Sequence, residues 1–536
     1  MNYNEDIPHT ALPNLFSREA NLKSVTVNDK LWDLIVIGGG ATGLGIAVDA
    51  ATRGLATLLL EQADFAKGTS SRATKLVHGG VRYLAQGHIA LVREALGERG
   101  LLLKNAPHLV KNQSFIIPNY SWWDGIFYTI GLSVYNLLAG KLSFGRARHI
   151  SKREVLKRLP GIEDLHLHGG VVYQDGQFDD ARLAVNLAQT AMEQSATVLN
   201  YVKVTGLLKN TANKVAGVKA VDLETGTPYE FRAKTVVNAT GIFVDDVLQM
   251  DSPNKKPIVR PSQGVHIVLS QDFMPTDDAL MIPKTSDGRV LFAVPWHDKL
   301  IVGTTDTLID QNSLEPIALE KEIAFILETA GQYLKKKPTR GDVRSVFAGL
   351  RPLAAPQKGS SKTKEISRSH KIMVSPAGLI TIIGGKWTTY RKMGEDVVDT
   401  AVKTGELKAG PSKTTNLPVH GSLPNPDRST HWFVYGADTN QIKALAEENP
   451  DWKNQVHPDN EYTQAEVIWS VRNEMARTVE DVLARRVRIL FLDARLAMKM
   501  APAVAKLMAG ELDKDTAWQQ EQINAFNKVA KSYILI

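Results

Sequence analysis

The sequence predicts an α/β fold followed by a helical C-terminal part. Three observations predict it. LWDLIVIGGG, then ATGLGIAVDAATRG, then ATLLLE read as strand, helix and strand near the start of the chain. Apolar runs of strand length recur through the middle, interleaved with helical spacing. Beyond 406–426, a stretch rich in Pro, Gly, Ser and Thr, strongly charged helical sequence takes over.

Taken in order, residues 1–30 read as an irregular polar arm. The first strand stops at glycines, and Ala56 to Glu61 forms the second, which makes a βαβ unit with tight turns. Further strands are predicted at Gly170–Tyr173, Thr235–Asn238 and Val265–Leu269. Val290–Val294 and Leu300–Val302 flank PWHDK and read as a hairpin. Leu379–Ile383 is a strand ending in Gly384-Gly385. Lys386 to Gly405 is then a helix with Met393, Val397, Val398 and Ala401 on one side. From about Thr463 the chain is helical, with MARTVEDVLARRVRILFLDARLAMKM as its centre. The division that follows has a nucleotide-binding domain (about 31–110, 170–270 and 340–405) interleaved with a mixed-sheet substrate cap (about 111–169 and 271–339). A linker at 406–426 and a helical domain at 427–536 complete it.

Composition narrows the chemistry. The 536 residues contain no cysteine. Disulfides, iron–sulfur ligation, thiolate zinc and cysteine redox steps are excluded, so any redox role needs a cofactor; no metal site is expected. The net charge of +7 suits an anionic substrate or an anionic surface. Without a Lys/Arg block it gives no reason to expect nucleic acid. MNYNEDIPHT carries acids and no apolar core, so a signal peptide is not expected and a cytoplasmic location is. Gly125 to Gly140 is the best uncharged stretch. It falls short of the roughly 18 residues a membrane span needs.

Gly38, Gly40 and Gly43 form G-x-G-x-x-G between the first strand and the helix. Glycines let the backbone turn sharply against a pyrophosphate, and the helix N-terminus offers it unpaired N–H groups. Glu61, ending the next strand, can accept from ribose hydroxyls and argues against a 2′-phosphate, hence against NADP. This motif leaves NAD and FAD open. Three later stretches favour FAD: TSSRATKLVHGGVRYL from Thr69, VVNATGIFVDD, and IIGGKWTTYRKMGED. The last is a second strand–Gly–helix junction. It can aim N–H dipoles at the flavin edge where negative charge collects on reduction.

Together these stretches resemble the FAD-dependent glycerol-3-phosphate dehydrogenases of the D-amino-acid-oxidase-like superfamily. The resemblance runs from about Trp32 to Val402 and continues through the segment after Glu474. TSSRATKLVHGGVRYL, PWHDKLIVGTTDT, AGLRPL and GGKWTTYRK carry it. It implies a Rossmann-like FAD-binding domain interleaved with a mixed-sheet cap, plus a helical C-terminal domain. It implies flavin contacts at Gly38, Gly40, Gly43, Glu61, Thr69, Ser70, Ser71, Lys75, His78, Gly79, Gly241, Gly385, Lys386 and Thr388. It places the glycerol-phosphate site at Arg82, Tyr83, His266, Arg351 and Lys386. Ser-Arg-Ala-Thr departs from the family's SSASS-like run, so Arg72 is an addition without an assigned role. The activity implied is oxidation of sn-glycerol 3-phosphate to dihydroxyacetone phosphate by hydride transfer to FAD. Electrons would pass to a quinone (ubiquinone or menaquinone), from a peripheral position on the inner face of the cytoplasmic membrane, with a homodimer compatible.

Oxidising a secondary alcohol needs a base, a hydride acceptor and a cationic phosphate pocket. Arg82 and Arg351 are the expected phosphate clamps, because a guanidinium fork donates two bonds and stays charged. The bland alternative for each is an interdomain salt bridge. His266 is the favoured base. It sits in an alternating run opposite Val265 and Ile267, where a satisfied core histidine is the competing reading. His78 is its rival, read rather as a flavin contact. Lys386 and Arg351 could stabilise an alkoxide. A lysine opening a helix opposes the dipole, unless an anionic flavin edge or phosphate lies alongside. No chemistry is assigned to His297 or Asp306. Trp123, Phe127, Ile130, Val134 and Leu138 share a helical face followed by Lys141, Arg146, Arg148, Lys152 and Arg153. That pattern fits an interfacial helix, or an ordinary interdomain one. Alternatives on the same scaffold are an O₂-using oxidase, an amine or amino-acid oxidase, and a non-catalytic flavin-binding protein.

Overall fold

The computed structural model describes residues 14–26, 30–80, 84, 87–286, 288–354 and 370–535. Two sheets organise the chain. In the first, Ile380–Ile383, Pro228–Asn238, Leu31–Ile37, Thr57–Leu60 and Thr197–Leu199 lie side by side, all parallel. Parallel strands need cover on both faces. Leu34 and Val36 meet the helices Ala41–Thr52, Asp180–Glu193 and Tyr390–Thr404 on one side. Trp32, Ile35 and Ile37 meet the antiparallel meander Val202–Lys209, Val215–Asp222, Pro228–Asn238 and the helix Val244–Asp251 on the other. The first and last of the three covering helices cross at glycines. A Cβ on Gly394 would stand 2.5 Å from the Gly45 carbonyl oxygen.

The second sheet has ten strands and is mixed, as expected. Val110–Asn119 and Ala279–Ile282 pair parallel, and the remaining pairs are antiparallel. The hairpin Leu291–Trp296/Lys299–Gly303 closes on His297 and Asp298, with φ of 46° and 55°. Two left-handed residues in succession match the strand twist in a tight hairpin. Gly169–Phe178, Val259–Ser270 and Ser345–Ala354 pair within this second sheet. The segments 170–270 and 340–405 therefore feed strands to both sheets.

The C-terminal part carries the helices Thr439–Glu448, Gln464–Glu474, Ala494–Glu511 and Thr516–Lys531. Thr463 and Glu466 cap the second of these reciprocally. The MARTVEDVLARRVRILFLDARLAMKM stretch is not one continuous helix. Left-handed residues at Met475 and Arg488 (φ 53° and 57°) flank a wide turn over Asp481–Arg486. Its apolar side packs on Val268, Ile301 and Phe347, which belong to the second sheet. The predicted uncharged stretch, Gly125 to Gly140, falls in the helix Trp122–Ala139 and the Gly140 that ends it. Among the described residues no helix is long and apolar enough to cross a membrane.

Candidate active site

A cavity of about 730 Å³ runs between the two sheets. At one end the strand Leu31–Ile37 stops at Gly38 (φ 109°), where a Cβ would stand 2.7 Å from the Ala239 carbonyl oxygen. A Cβ on Gly43 would sit 1.8 Å from the Gly38 carbonyl oxygen, so only glycine lets the helix start this close to the strand. Gly38, Gly40, Glu61 and Gly241 line the wall. Gly43 packs behind it. Glu61 accepts from the Gly39 N–H at 2.6 Å and the Ala63 N–H at 2.9 Å, which fixes its carboxylate at the cavity edge. Burial pushes its pKa above the usual carboxylate range against these two bonds.

The flavin-type motifs are tied to one another. The Ser70 hydroxyl accepts from the Ala41 N–H at 3.0 Å, and Thr69 donates to the Leu350 carbonyl at 2.6 Å. Trp387 Nε1 donates to the Ser70 carbonyl at 2.8 Å, and the His78 N–H donates to Thr388 Oγ1 at 3.2 Å. Gly384 and Gly385, with φ of 74° and 84°, turn the chain so that Lys386 and Thr388 reach the same wall. Thr69, Ser70, His78, Gly385, Lys386 and Thr388 thus share one cavity. Besides Gly43, three residues of the expected flavin set do not line it. Ser71 donates inward to the Ala66 carbonyl at 2.8 Å. Lys75 is fully buried, with Nζ on Asp180 at 2.7 Å and the Ser71 carbonyl at 2.9 Å. The Gly79 N–H donates to the Tyr135 hydroxyl at 2.7 Å. Arg82 and Tyr83 lie outside the described residues.

The opposite end holds His266 and Arg351. Val265 and Ile267 point into the cap core, and His266 points to the cavity, as the alternation requires. Its Nε2 pairs with Thr74 Oγ1 at 2.9 Å, and its ring stacks on Phe347 at 4.9 Å. Burial, then the positive charges of Arg351 and Lys75, hold it well below the usual histidine pKa, so the imidazole is neutral. Arg351 lies over Gly264, where a Cβ would clash at 2.3 Å. Its guanidinium donates to the Thr305 carbonyl and Thr304 Oγ1, both at 3.1 Å. Asp306 stands 3.5 Å away. The sequence reading missed Thr74, although it lies inside a quoted motif, because a hydroxyl has no spacing signature.

Arg72 also lines the cavity, and its fork is already engaged. It donates to the Ala348 carbonyl at 3.1 Å and to Glu315 at 2.8 Å, which pins the Arg351 strand to the Thr69 loop. His297 stands at the domain junction, 3.5 Å from Asp179 and stacked on Phe433. Behind Glu61 lies a buried ionic cluster that the sequence did not reveal. Asp64 receives Arg485 at 2.5 Å and Arg486 at 2.7 Å; burial would raise its pKa, and the two guanidiniums pull it down to about 2. Arg488 meets Asp179 at 2.8 Å, and Arg182 meets Glu474 at 2.8 Å. Arg485, Arg486 and Arg488 are therefore paired inside the protein.

The geometry has counterparts. Residues 33–391 match the family model for FAD dependent oxidoreductases, and residues 380–522 match that for the C-terminal domain of alpha-glycerophosphate oxidase. The mitochondrial glycerol-3-phosphate dehydrogenase of Homo sapiens is 40% identical over 96% of this chain and 75% of its own length. That of Schizosaccharomyces pombe is 36% identical over 97% and 89%. The crystal structure of the Bacillus halodurans glycerol-3-phosphate dehydrogenase complexed with FAD superposes with a TM-score of 0.79 at 29% identity, covering 98% of this chain and 99% of that one. The residues of the cavity fit FAD: a strand-to-helix turn that only glycines can make, an acid ending the next strand, and a second glycine junction. The chain belongs to the FAD-dependent glycerol-3-phosphate dehydrogenase family.

Proposed function

We propose that this protein oxidises sn-glycerol 3-phosphate to dihydroxyacetone phosphate and passes the electrons to a membrane quinone. One observation carries the reading: His266, its pKa held down by burial, and Arg351 face the same cavity as the glycine-rich nucleotide turn. Bound FAD supplies the hydride acceptor. Gly38, Gly40 and Glu61 hold its nucleotide half, and Gly385, Lys386 and Thr388 stand at the flavin end. Arg351 holds the substrate phosphate, and Lys386 adds positive charge where an alkoxide develops. His266, neutral before substrate enters, takes the hydroxyl proton. Thr74 fixes the imidazole ring through Nε2. Lys75, behind the wall and paired with Asp180, acts by depressing the His266 pKa.

The test is anaerobic absorbance of the flavoprotein during addition of sn-glycerol 3-phosphate. Bleaching of the oxidised-flavin bands is expected. Unchanged bands would discard the substrate. Reduced protein mixed with a soluble quinone or with O₂ then separates dehydrogenase from oxidase, since the oxidase yields stoichiometric peroxide.

The quinone assignment draws support from the helix Trp122–Ala139. Phe127, Ile130, Val134 and Leu137 are exposed on it, at 67%, 63%, 43% and 79%. Leu138, expected on that face, packs inward against Val92, Leu96 and Tyr135, and Leu137 takes its place outside. The side chain of Trp123 lies outside the described residues. Exposed Arg146, Arg148, Lys152 and Arg153 follow in the chain. An apolar ridge flanked by cations suits the headgroup boundary of an anionic bilayer, where a lipid-soluble acceptor dissolves.

A further inference from the structure

We propose that Tyr135 is a positioning residue for the flavin site, acting through the main chain of His78 and Gly79. The inference rests on the flavin-site reading above. Tyr135 lies on the inner face of the helix Trp122–Ala139, fully buried, next in sequence to the exposed Val134. Its hydroxyl accepts from the Gly79 N–H at 2.7 Å and donates to Asp175 Oδ2 at 2.8 Å. Asp175 Oδ1 in turn accepts from Arg99 at 2.8 Å and from the Gly176 N–H at 3.1 Å. Each group in this chain is buried, and each bond holds the next in orientation.

The connection does what the sheet stops doing. Leu76 and Val77 pair with Gln177 and Gly176, and the ladder ends there. The backbone beyond would carry an unsatisfied N–H into the protein. The tyrosine hydroxyl satisfies it, backed by a carboxylate from the neighbouring strand. Gly79 is pressed between two helices: a Cβ there would stand 2.6 Å from both the Tyr135 hydroxyl and Leu96, which belongs to the helix Ile89–Asn105. His78, one residue earlier, lines the cavity and bonds Thr388 through its N–H. Thr388 belongs to the second glycine junction. A displacement of Gly79 therefore moves His78 and reaches Thr388, which its N–H bonds.

The experiment compares FAD-loaded wild type, Tyr135→Phe and Leu132→Ala. Phenylalanine keeps the ring among Val92 and Leu96 and removes only the hydroxyl. Leu132→Ala loosens the same helix without touching the relay. Three quantities are read: the visible flavin spectrum, the rate at which FAD is released, and the rate of flavin reduction by sn-glycerol 3-phosphate. Tyr135→Phe is expected to shift the flavin bands, speed FAD release and slow reduction about tenfold, with KM within twofold. Leu132→Ala is expected to lower the melting temperature and leave the bands in place. If Tyr135→Phe also lowers only the melting temperature, the tyrosine is mere packing and the proposal is overturned. Should Tyr135→Phe fail to fold, Asp175→Asn removes the carboxylate behind the hydroxyl, and the same spectral shift is required of it; unshifted bands overturn the proposal. Wild-type flavin that glycerol 3-phosphate leaves oxidised would sink the substrate reading, and the spectral comparison would still decide the role of Tyr135.

Discussion

His266 shows how a buried residue is prepared for its task. Its pKa is lowered by burial first and by two cations second, so it binds a proton only in acid. A base of this kind loses function as pH falls through its folded pKa. The acid limb of kcat/KM assigned to the enzyme is therefore expected below pH 6.5, with a flat profile from there to neutrality. An acid limb above that value would contradict the assignment. Replacement by alanine removes the base and is expected to slow flavin reduction by about 100-fold or more. Reduction at the wild-type rate in rapid mixing would remove His266 from the mechanism. Thr74→Val keeps the shape beside the ring and deletes its hydrogen bond, so a smaller loss, about tenfold, is expected by the same measurement.

At the scale of elements, the helix Trp122–Ala139 has an exposed apolar face and a buried one. Its outer apolar residues contribute nothing to the core, so charge there should leave the fold intact. Phe127→Glu with Val134→Glu is expected to shift the protein from the membrane pellet to the supernatant, with the melting temperature within a few degrees of wild type. Continued recovery in the pellet would count against this surface. Strands and their glycine junctions were legible in the sequence because period and turn chemistry are local properties. Which face Leu137 and Leu138 occupy was not, since one residue rotates a helix position by about 100° and packing settles the choice. The sheet membership of Val259–Ser270 was likewise hidden, because it is decided by partners from Lys299–Gly303 and Ser345–Ala354 that are distant in the chain. Glu61 and Arg351 line the cavity to which their motifs assign them, whereas the contacts of Thr74 and Tyr135 carry no sequence signature.

For the whole molecule, buried charge joins the C-terminal helices to the nucleotide domain. Arg486→Ala would leave Asp64 charged and without its bidentate partner, a loss of about 3–5 kcal/mol measurable by urea unfolding. A loss under about 1 kcal/mol would mean the cluster reorganises freely. Two histidines in the C-terminal region add a dependence of the opposite sense to an acid's. His420 lies between Glu193 at 2.6 Å and Asp438 at 2.8 Å; His431 lies between Glu461 at 3.1 Å and Glu466 at 3.0 Å. Burial lowers each pKa, and the flanking carboxylates raise it more, to about 9. A folded pKa above the ordinary 6.5 gives stabilisation that is complete below 6.5 and lost as pH rises through 9. The melting temperature is expected to fall between pH 7 and pH 10, and to fall less in a His420→Gln, His431→Gln double variant. An equal fall in both proteins would assign the effect elsewhere.

The bond between Asp64 and Arg486 spans 422 positions of sequence. On the ribosome the acid emerges early and its partners emerge late. For most of synthesis Asp64 must stay hydrated, which keeps the Glu61 turn from settling into its native place. The surroundings of the Glu61 turn are thus completed by a segment far on in the chain. Chains released short of Arg485 are expected to be substrates for chaperones and proteases.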